Sequence, residues 1–352
     1  MFGAVLLVIV YAVVFALHLL VPGHWVDGYV KGADGKPLRY RLNGLRVFFV
    51  TVALWALACW QGWLKWTDFH VHRWDMLWTA CAIGLVFSAV IVFTAPPVKK
   101  NVLADFYLGR RENPQALGGK LDAKMWLYLI GAVMLELNIL SSVAAHWEAH
   151  RDDPSPGVFI SAGLFTFFLV EYLNFEEVHL YTYDFMAERT GFKLGWGCLT
   201  FYPFFYCVGL WSRADSPNPH THPLLLALCV VCFFLGWSFA RGANLQKFHF
   251  KRDPTRKFLG IVPEALEGRV LVNGFWGLSR HINYLGEILM ALGITLSLGA
   301  PLAWEPWLYP LYYLVLLIPR QLDDDRRCEA KYGPLWSAYV KRVPYRIIPR
   351  VY

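Results

Sequence analysis

The densest run of chemistry-capable side chains is Arg241-Gly-Ala-Asn244-Leu-Gln246-Lys247-Phe-His249-Phe-Lys251-Arg252. Arg241, Lys247, Lys251 and Arg252 cluster four cations, with Asn244 and Gln246 as neutral donors beside them. Phosphate recognition needs point charges and planar forks of this kind. A membrane anchor on lipid headgroups needs the same charges, and charge alone does not separate the two. The interleaved amides, which anchoring does not require, favour a dinucleotide-like ligand.

A second stretch is Leu271-Val-Asn-Gly274-Phe-Trp276-Gly277-Leu-Ser-Arg280-His281-Ile-Asn283-Tyr284-Leu-Gly286-Glu287. Its glycines permit close backbone approach, and Trp276 could stack on a nicotinamide or adenine ring. An aromatic belt at a membrane surface would also use Trp and Tyr there. Glu287 stands one turn inside an apolar helix, where an acid is costly and a functional candidate by default. In the tail, Arg320 and Asp324 are spaced to share a helix face, and an Asp can accept hydrogen bonds from a ribose or amide. Either this is a nucleotide contact or a solvated, salt-bridged helix. Glu171, Asn174, Glu176, Glu177, His179, Tyr181, Tyr183 and Asp184 follow another apolar run and suggest a polar-lined cavity or residues in water.

The elements that must position these residues are helices in a bilayer. Hydrophobic residues make up 57% of the 352 and charged residues only 17%, against about a quarter in soluble domains. Apolar runs near 3–22, 45–62, 76–95, 125–145, 157–175, 195–211, 222–240, 284–299 and 303–319 approach the roughly 17–25 residues a span requires. The first lacks a basic leader and cleavage site, so it reads as a spanning helix rather than a removed signal. With alternate loops on one side, 28 of the 33 Lys and Arg fall on that side, including 241–283 and 320–352. That asymmetry marks a cytosolic face. The seven Cys form no CxxC pair, so neither a disulfide framework nor a metal site is indicated. No Walker loop, GxGxxG, HExxH or GxSxG is present. The expected fold is all-α: a polytopic bundle of nine to ten transmembrane helices over 1–240, with a C-terminal cytosolic cofactor-binding region over 241–352 that includes the last spans.

At these residues the chain resembles the sterol reductase family, comprising the Δ14-, Δ7- and Δ24(28)-sterol reductases and the membrane domain of lamin B receptor. The resemblance runs from Pro22-Gly23 to Tyr352 and includes Asn43-Gly44-Leu45, Gly109-Arg110, Asp122-Ala-Lys124 and Leu180-Tyr-Thr182-Tyr-Asp184. It is tightest at Asn244-Leu-Gln246-Lys247, at Gly274 to Tyr284, and at Arg342-Val-Pro344-Tyr345-Arg346-Ile-Ile-Pro349. It implies a ten-helix bundle with NADPH in a cytosolic pocket beside a sterol cavity. Carried over residue by residue, NADPH would touch Lys247, Lys251, Leu271, Trp276, Asn283, Tyr284, Asp324, the run Cys328, Glu329, Ala330, Lys331 and Tyr332, and Tyr339. Arg320 and Tyr345 would lie close by. Lys251 stands where the family usually has Arg, Ile282 replaces a usual Pro, and Cys198 replaces a frequent Asp.

The implied reaction is reduction of a sterol carbon–carbon double bond, with Δ14 as the first choice and Δ7 or Δ24(28) as alternatives. A protein acid would protonate the alkene, and the resulting cation would take a hydride from NADPH. Candidate acids are Glu177, Glu287 and Asp184, with Tyr284 or Tyr345 as relays. A second reading is an S-adenosylmethionine-dependent methyltransferase of the isoprenylcysteine carboxyl type, which the cation cluster disfavours. A third is a lamin-B-receptor-like scaffold. The expected surroundings are a bacterial cytoplasmic membrane or the endoplasmic reticulum, with the bilayer and a sterol as partners and no nucleic acid.

Overall fold

The computed structural model describes all residues 1–352. It divides into two compact units, Met1–His220 and Thr221–Tyr352. The 240/241 boundary expected from composition falls inside a helix that the second unit carries whole.

In the first unit, α1 (Phe2–Leu20) leads into a hairpin of β1 (His24–Lys31) and β2 (Pro37–Leu42), then α2 (Gly44–Trp60) and α3 (Arg73–Phe93). A two-residue pairing of β3 (Gln115–Ala116) with β4 (Leu121–Asp122) precedes α4 (Ala123–Ala149) and α5 (Pro156–Asn174). Asp122 caps α4, its carboxylate accepting from the backbone of Lys124 and Met125, groups that would otherwise lack partners. α4 is the core of the unit and packs against α1, α2 and α5. The span expected over 195–211 is helical from Phe192 through Phe205, with a π-helical stretch at Gly197–Phe201, and resumes at Val208–Ala214 after a short turn. Pro203 lacks the N–H that a continuous helix needs, and Asn138 of α4 donates to the Pro203 carbonyl.

In the second unit, α6 (Pro223–Arg252) is followed by the β5 (Ala265–Leu266) and β6 (Val270–Leu271) pairing, α7 (Ile282–Ser297), α8 (Leu308–Tyr332) and α9 (Pro334–Arg342). α1, α3, α4, α5 and α6 are long and apolar enough to cross a membrane, and α2 and α7 are shorter apolar helices. The nine-to-ten count is therefore not reached by length and apolarity. The last expected span, 303–319, starts late at Leu308 and runs on through Pro319 to Tyr332. α6 and α7 pack antiparallel along glycines. A Cβ on Gly286 would stand 2.4 Å from the Ala240 nitrogen, and one on Gly293 2.7 Å from the Cys229 carbonyl. Small residues at such a seam let two helix backbones close together, and the register brings Asn283 level with Ala243 and Asn244.

Candidate functional site

The loop before α7 is stitched to α6. Gln246 donates to the Asn273 carbonyl and accepts from the Phe275 N–H at 2.9 Å. Gly274 sits at φ +63°, and a Cβ there would lie 2.3 Å from the Gln246 amide nitrogen, so only glycine fits both the backbone and the contact. Trp276 donates its indole N–H to the Ala243 carbonyl at 2.8 Å, and the Tyr339 hydroxyl donates to the Trp276 carbonyl at 2.9 Å. The indole, expected at a cofactor ring, is thereby tied to α6, while Tyr339 holds the Trp276 main chain.

Cations gather against this frame. Lys247 lies over the Trp276 ring at 5.3 Å, while Arg269 and Lys331 lie over the Tyr332 ring, each also at 5.3 Å. Lys251 donates to the Arg269 carbonyl at 3.4 Å. Lys247, Lys251, Arg269 and Lys331 share one electrostatic neighbourhood with Cys328. Burial, with the Asp324 charge adding to it, pushes the Cys328 thiol up to about 12. That thiol is a packing group rather than a nucleophile. The Asn244 and Asn283 side-chain carbonyls are buried with no hydrogen-bond donor. Buried acceptors normally find one. Point charges, an oriented indole and two waiting acceptors are what a phosphate-bearing dinucleotide needs.

Arg280 and His281 are engaged by the C-terminal tail. Arg280 is 4% exposed and spends its guanidinium on the Val343 and Pro344 carbonyls and on Asp325. His281, 3% exposed, lies between Asp324 (3.9 Å) and Asp325 (3.7 Å), with its ring stacked on Tyr284 at 5.0 Å. The backbone N–H groups of Arg280 and His281 donate to the Tyr345 and Arg346 carbonyls. This holds Tyr345 through its main chain. Both Arg280 and His281, expected at the cofactor, therefore fasten the tail to the start of α7. Arg241 is buried, Leu271 is buried, and Arg252 is exposed with its guanidinium over Phe248. Glu329 and Ala330 are exposed on α8, and Arg320 and Glu287 are half-buried. Arg269 and Asp325 were missed. Arg269 stands in a loop without a motif, and nothing in the run Asp323-Asp324-Asp325 distinguishes its last member.

The model of the ergosterol biosynthesis ERG4/ERG24 family matches residues 2–352. The chain belongs to that family. It is 33% identical to the Delta(14)-sterol reductase of Methylotuvimicrobium alcaliphilum over 96% of this chain and 80% of that protein. It is 31% identical to the Delta(14)-sterol reductase of Arabidopsis thaliana over 97% of this chain and 96% of that one. With Mus musculus Delta(14)-sterol reductase TM7SF2, the identity is 33% over 96% and 82%. This is a membrane protein of a sterol-reductase family.

In the first unit of this family member, Lys124 is fully buried and donates to the Asp184 and Glu188 carbonyls at 2.7 and 2.6 Å. That clamp fixes the turn Tyr183–Met186, leaving the Asp184 carboxylate half-buried. Glu177, the acid candidate, is half-buried, whereas its neighbour Glu176 is the buried carboxyl. Cys198 is buried.

Proposed function

We propose that this ERG4/ERG24-family protein reduces a carbon–carbon double bond in a sterol with NADPH, the Δ14 bond being the first choice, at a site facing the cytosol. The observation that carries the cofactor reading is the gathering of Lys247, Lys251, Arg269 and Lys331 beside Trp276 and Tyr332. The relatives named Delta(14)-sterol reductase support the choice of bond. Bound there, NADPH would supply a hydride.

The chain's own residues do the rest. Lys247, Lys251, Arg269 and Lys331 meet phosphate oxygens. Trp276 fixes the plane of a ring, Asn244 and Asn283 accept from amide or hydroxyl donors, and Asp324 accepts from a ribose or amide. An isolated alkene is not electrophilic, so a side-chain acid must add a proton first. Glu177, Asp184 and Glu287 are the proposed donors, and Tyr284 or Tyr345 pass the proton on. Exclusion of water keeps the carbocation from capture.

Purified protein titrated with NADPH, NADH and S-adenosylmethionine, then incubated with a Δ14-unsaturated sterol, tests the reading. NADPH binding tighter than NADH and a product two hydrogens heavier are expected. Binding of S-adenosylmethionine alone would turn the assignment to methyl transfer. Cysteines introduced at 255–260 and near 335 should be labelled only from the cytosolic side.

A further inference from the structure

In the first unit, a short helix over Val102–Leu108 follows the end of α3, and its polar side faces inward. Asp105 is fully buried, its carboxylate accepting from the backbone of Val98 and Lys99 and from the Arg110 guanidinium, itself only 8% exposed. Leu103 and Tyr107, four residues apart, share one face of the helix. At 100° per residue Asp105 points away from both. Leu103 is 76% exposed and Tyr107 half-exposed, with Val98, Lys99, Lys100 and Val102 exposed beside them. A helix bathed in water turns its charged side out and its apolar side in. This one does the reverse, and exposed apolar patches of this kind mark sites of protein or membrane contact.

The depth of the segment is fixed by its contacts. α3 is long and apolar enough to cross a membrane and ends at Phe93. Just past that end, Arg110 donates to the Ala95 carbonyl and Arg111 to the Thr94 carbonyl, both at 2.8 Å. Phe106 stacks on Phe93 at 5.9 Å. Gly109 sits at φ +92°, and a Cβ there would lie 2.4 Å from the Thr190 backbone, so only glycine allows the chain to leave the helix at this point. The short helix is thereby held level with the end of a spanning helix. That is the depth at which acyl chains give way to headgroups.

We infer that Val98–Leu108 is a lipid-docking element: the apolar face of the short helix lies in the boundary between acyl chains and headgroups, and Lys99 and Lys100 meet the phosphates of anionic lipids. Leucine and aromatic side chains beside paired cations are the composition of an interfacial helix. The one acid in 94–111, Asp105, is turned inward onto Arg110, so the outer face of the segment carries cations and no acid. A bilayer supplies both an apolar layer and a charged one at this depth, which a second protein surface would have to reproduce in the same order.

The test places the full chain in nanodiscs of mixed phosphatidylcholine and phosphatidylglycerol, with a photo-crosslinking side chain introduced as Leu103→benzoylphenylalanine. Adducts are identified by mass. Each lysine near an anionic surface is worth about 5-fold, so phosphatidylglycerol should be captured in excess of its share of the bilayer by about 5- to 30-fold. With Lys99→Gln and Lys100→Gln added, that excess should vanish while lipid adducts persist, because the apolar face is untouched. Raised salt should shrink the excess in the wild-type background. All three positions are exposed, so the variants should melt with the wild type. Adducts to a second copy of the chain would make this face a protein interface and overturn the inference. Absence of lipid adducts, or equal capture of both lipids with the lysines intact, would overturn it as well.

Discussion

Arg280 and Arg346 find their counter-charge in Asp325, at 3.4 and 3.6 Å, with His281 at 3.7 Å from the same carboxylate. Lys247, Arg269 and Lys331 in the same unit lie over the faces of Trp276 and Tyr332. In the first group Arg280 and His281 are deeply buried around one acid, Arg346 is partly exposed, and Arg280 turns its donors onto tail carbonyls. The second is only partly covered, and its charged ends are oriented by rings. Cations that hold a fold together are thus distinguished from cations that can accept an anion by what holds them, not by their spacing in sequence.

The largest effect should come from removing the acid at the centre of the first group. Asp325→Ala leaves the buried Arg280 without its charge partner and His281 with Asp324 alone, and breaking a buried pair in this way costs about 3–5 kcal/mol. Thermal melting in detergent should fall sharply, while Asp325→Asn, which keeps an acceptor, should fall less. An unchanged midpoint for Asp325→Ala would merge the two groups into one kind.

Next comes the second group. Arg269→Ala and Lys251→Ala should each weaken NADPH binding by about 1.5–3 kcal/mol, read by calorimetry, with NADH affected less and the melting midpoint nearly unmoved. Equal loss for both nucleotides would remove these residues from phosphate binding.

Asp324 bridges the comparison, since it lies 3.9 Å from His281 yet its side chain is 36% exposed. Asp324→Ala should abolish sterol reduction while the protein still melts near the wild-type temperature. Asp323 pairs on the surface with Arg327, so Asp323→Ala should cost under about 0.5 kcal/mol and leave turnover intact. Death of both variants would make the triplet a folding element.

The smallest effect is in pH. Burial would raise the Asp325 carboxyl, but His281, Arg280 and Arg346 outweigh it and hold it below the usual carboxylate range. A depressed folded-state pKa adds stability that is present above the ordinary value of about 4 and is lost as pH falls through the lowered one. Melting curves between neutral pH and about 3 should therefore converge for wild type and Asp325→Asn at the acid end.

Several features were legible before any tertiary contact was known. The membrane class follows from apolar runs such as Phe2–Leu20 and Pro223–Arg252, which the structure carries as long helices. Trp276 was named on local glycine and aromatic pattern, and the tie of its indole to α6, with Tyr339 on its main chain, gives that pattern a physical basis. The segment 195–211 is helical as its hydropathy suggests, but the π-helical stretch at Gly197–Phe201 ahead of Pro203 was not legible in it.

What the sequence by itself determined is therefore what composition and spacing encode: a membrane chain, its family, and the stretches where polar chemistry concentrates. Tertiary structure alone decided between neighbours of the same type. Glu176 is buried on Gly44 while Glu177 is not, and Asp325 gathers cations while Asp323 pairs at the surface. Adjacent residues on a helix point about 100° apart. Which of two equal side chains meets a buried partner therefore depends on where distant segments pack, and that information is not local.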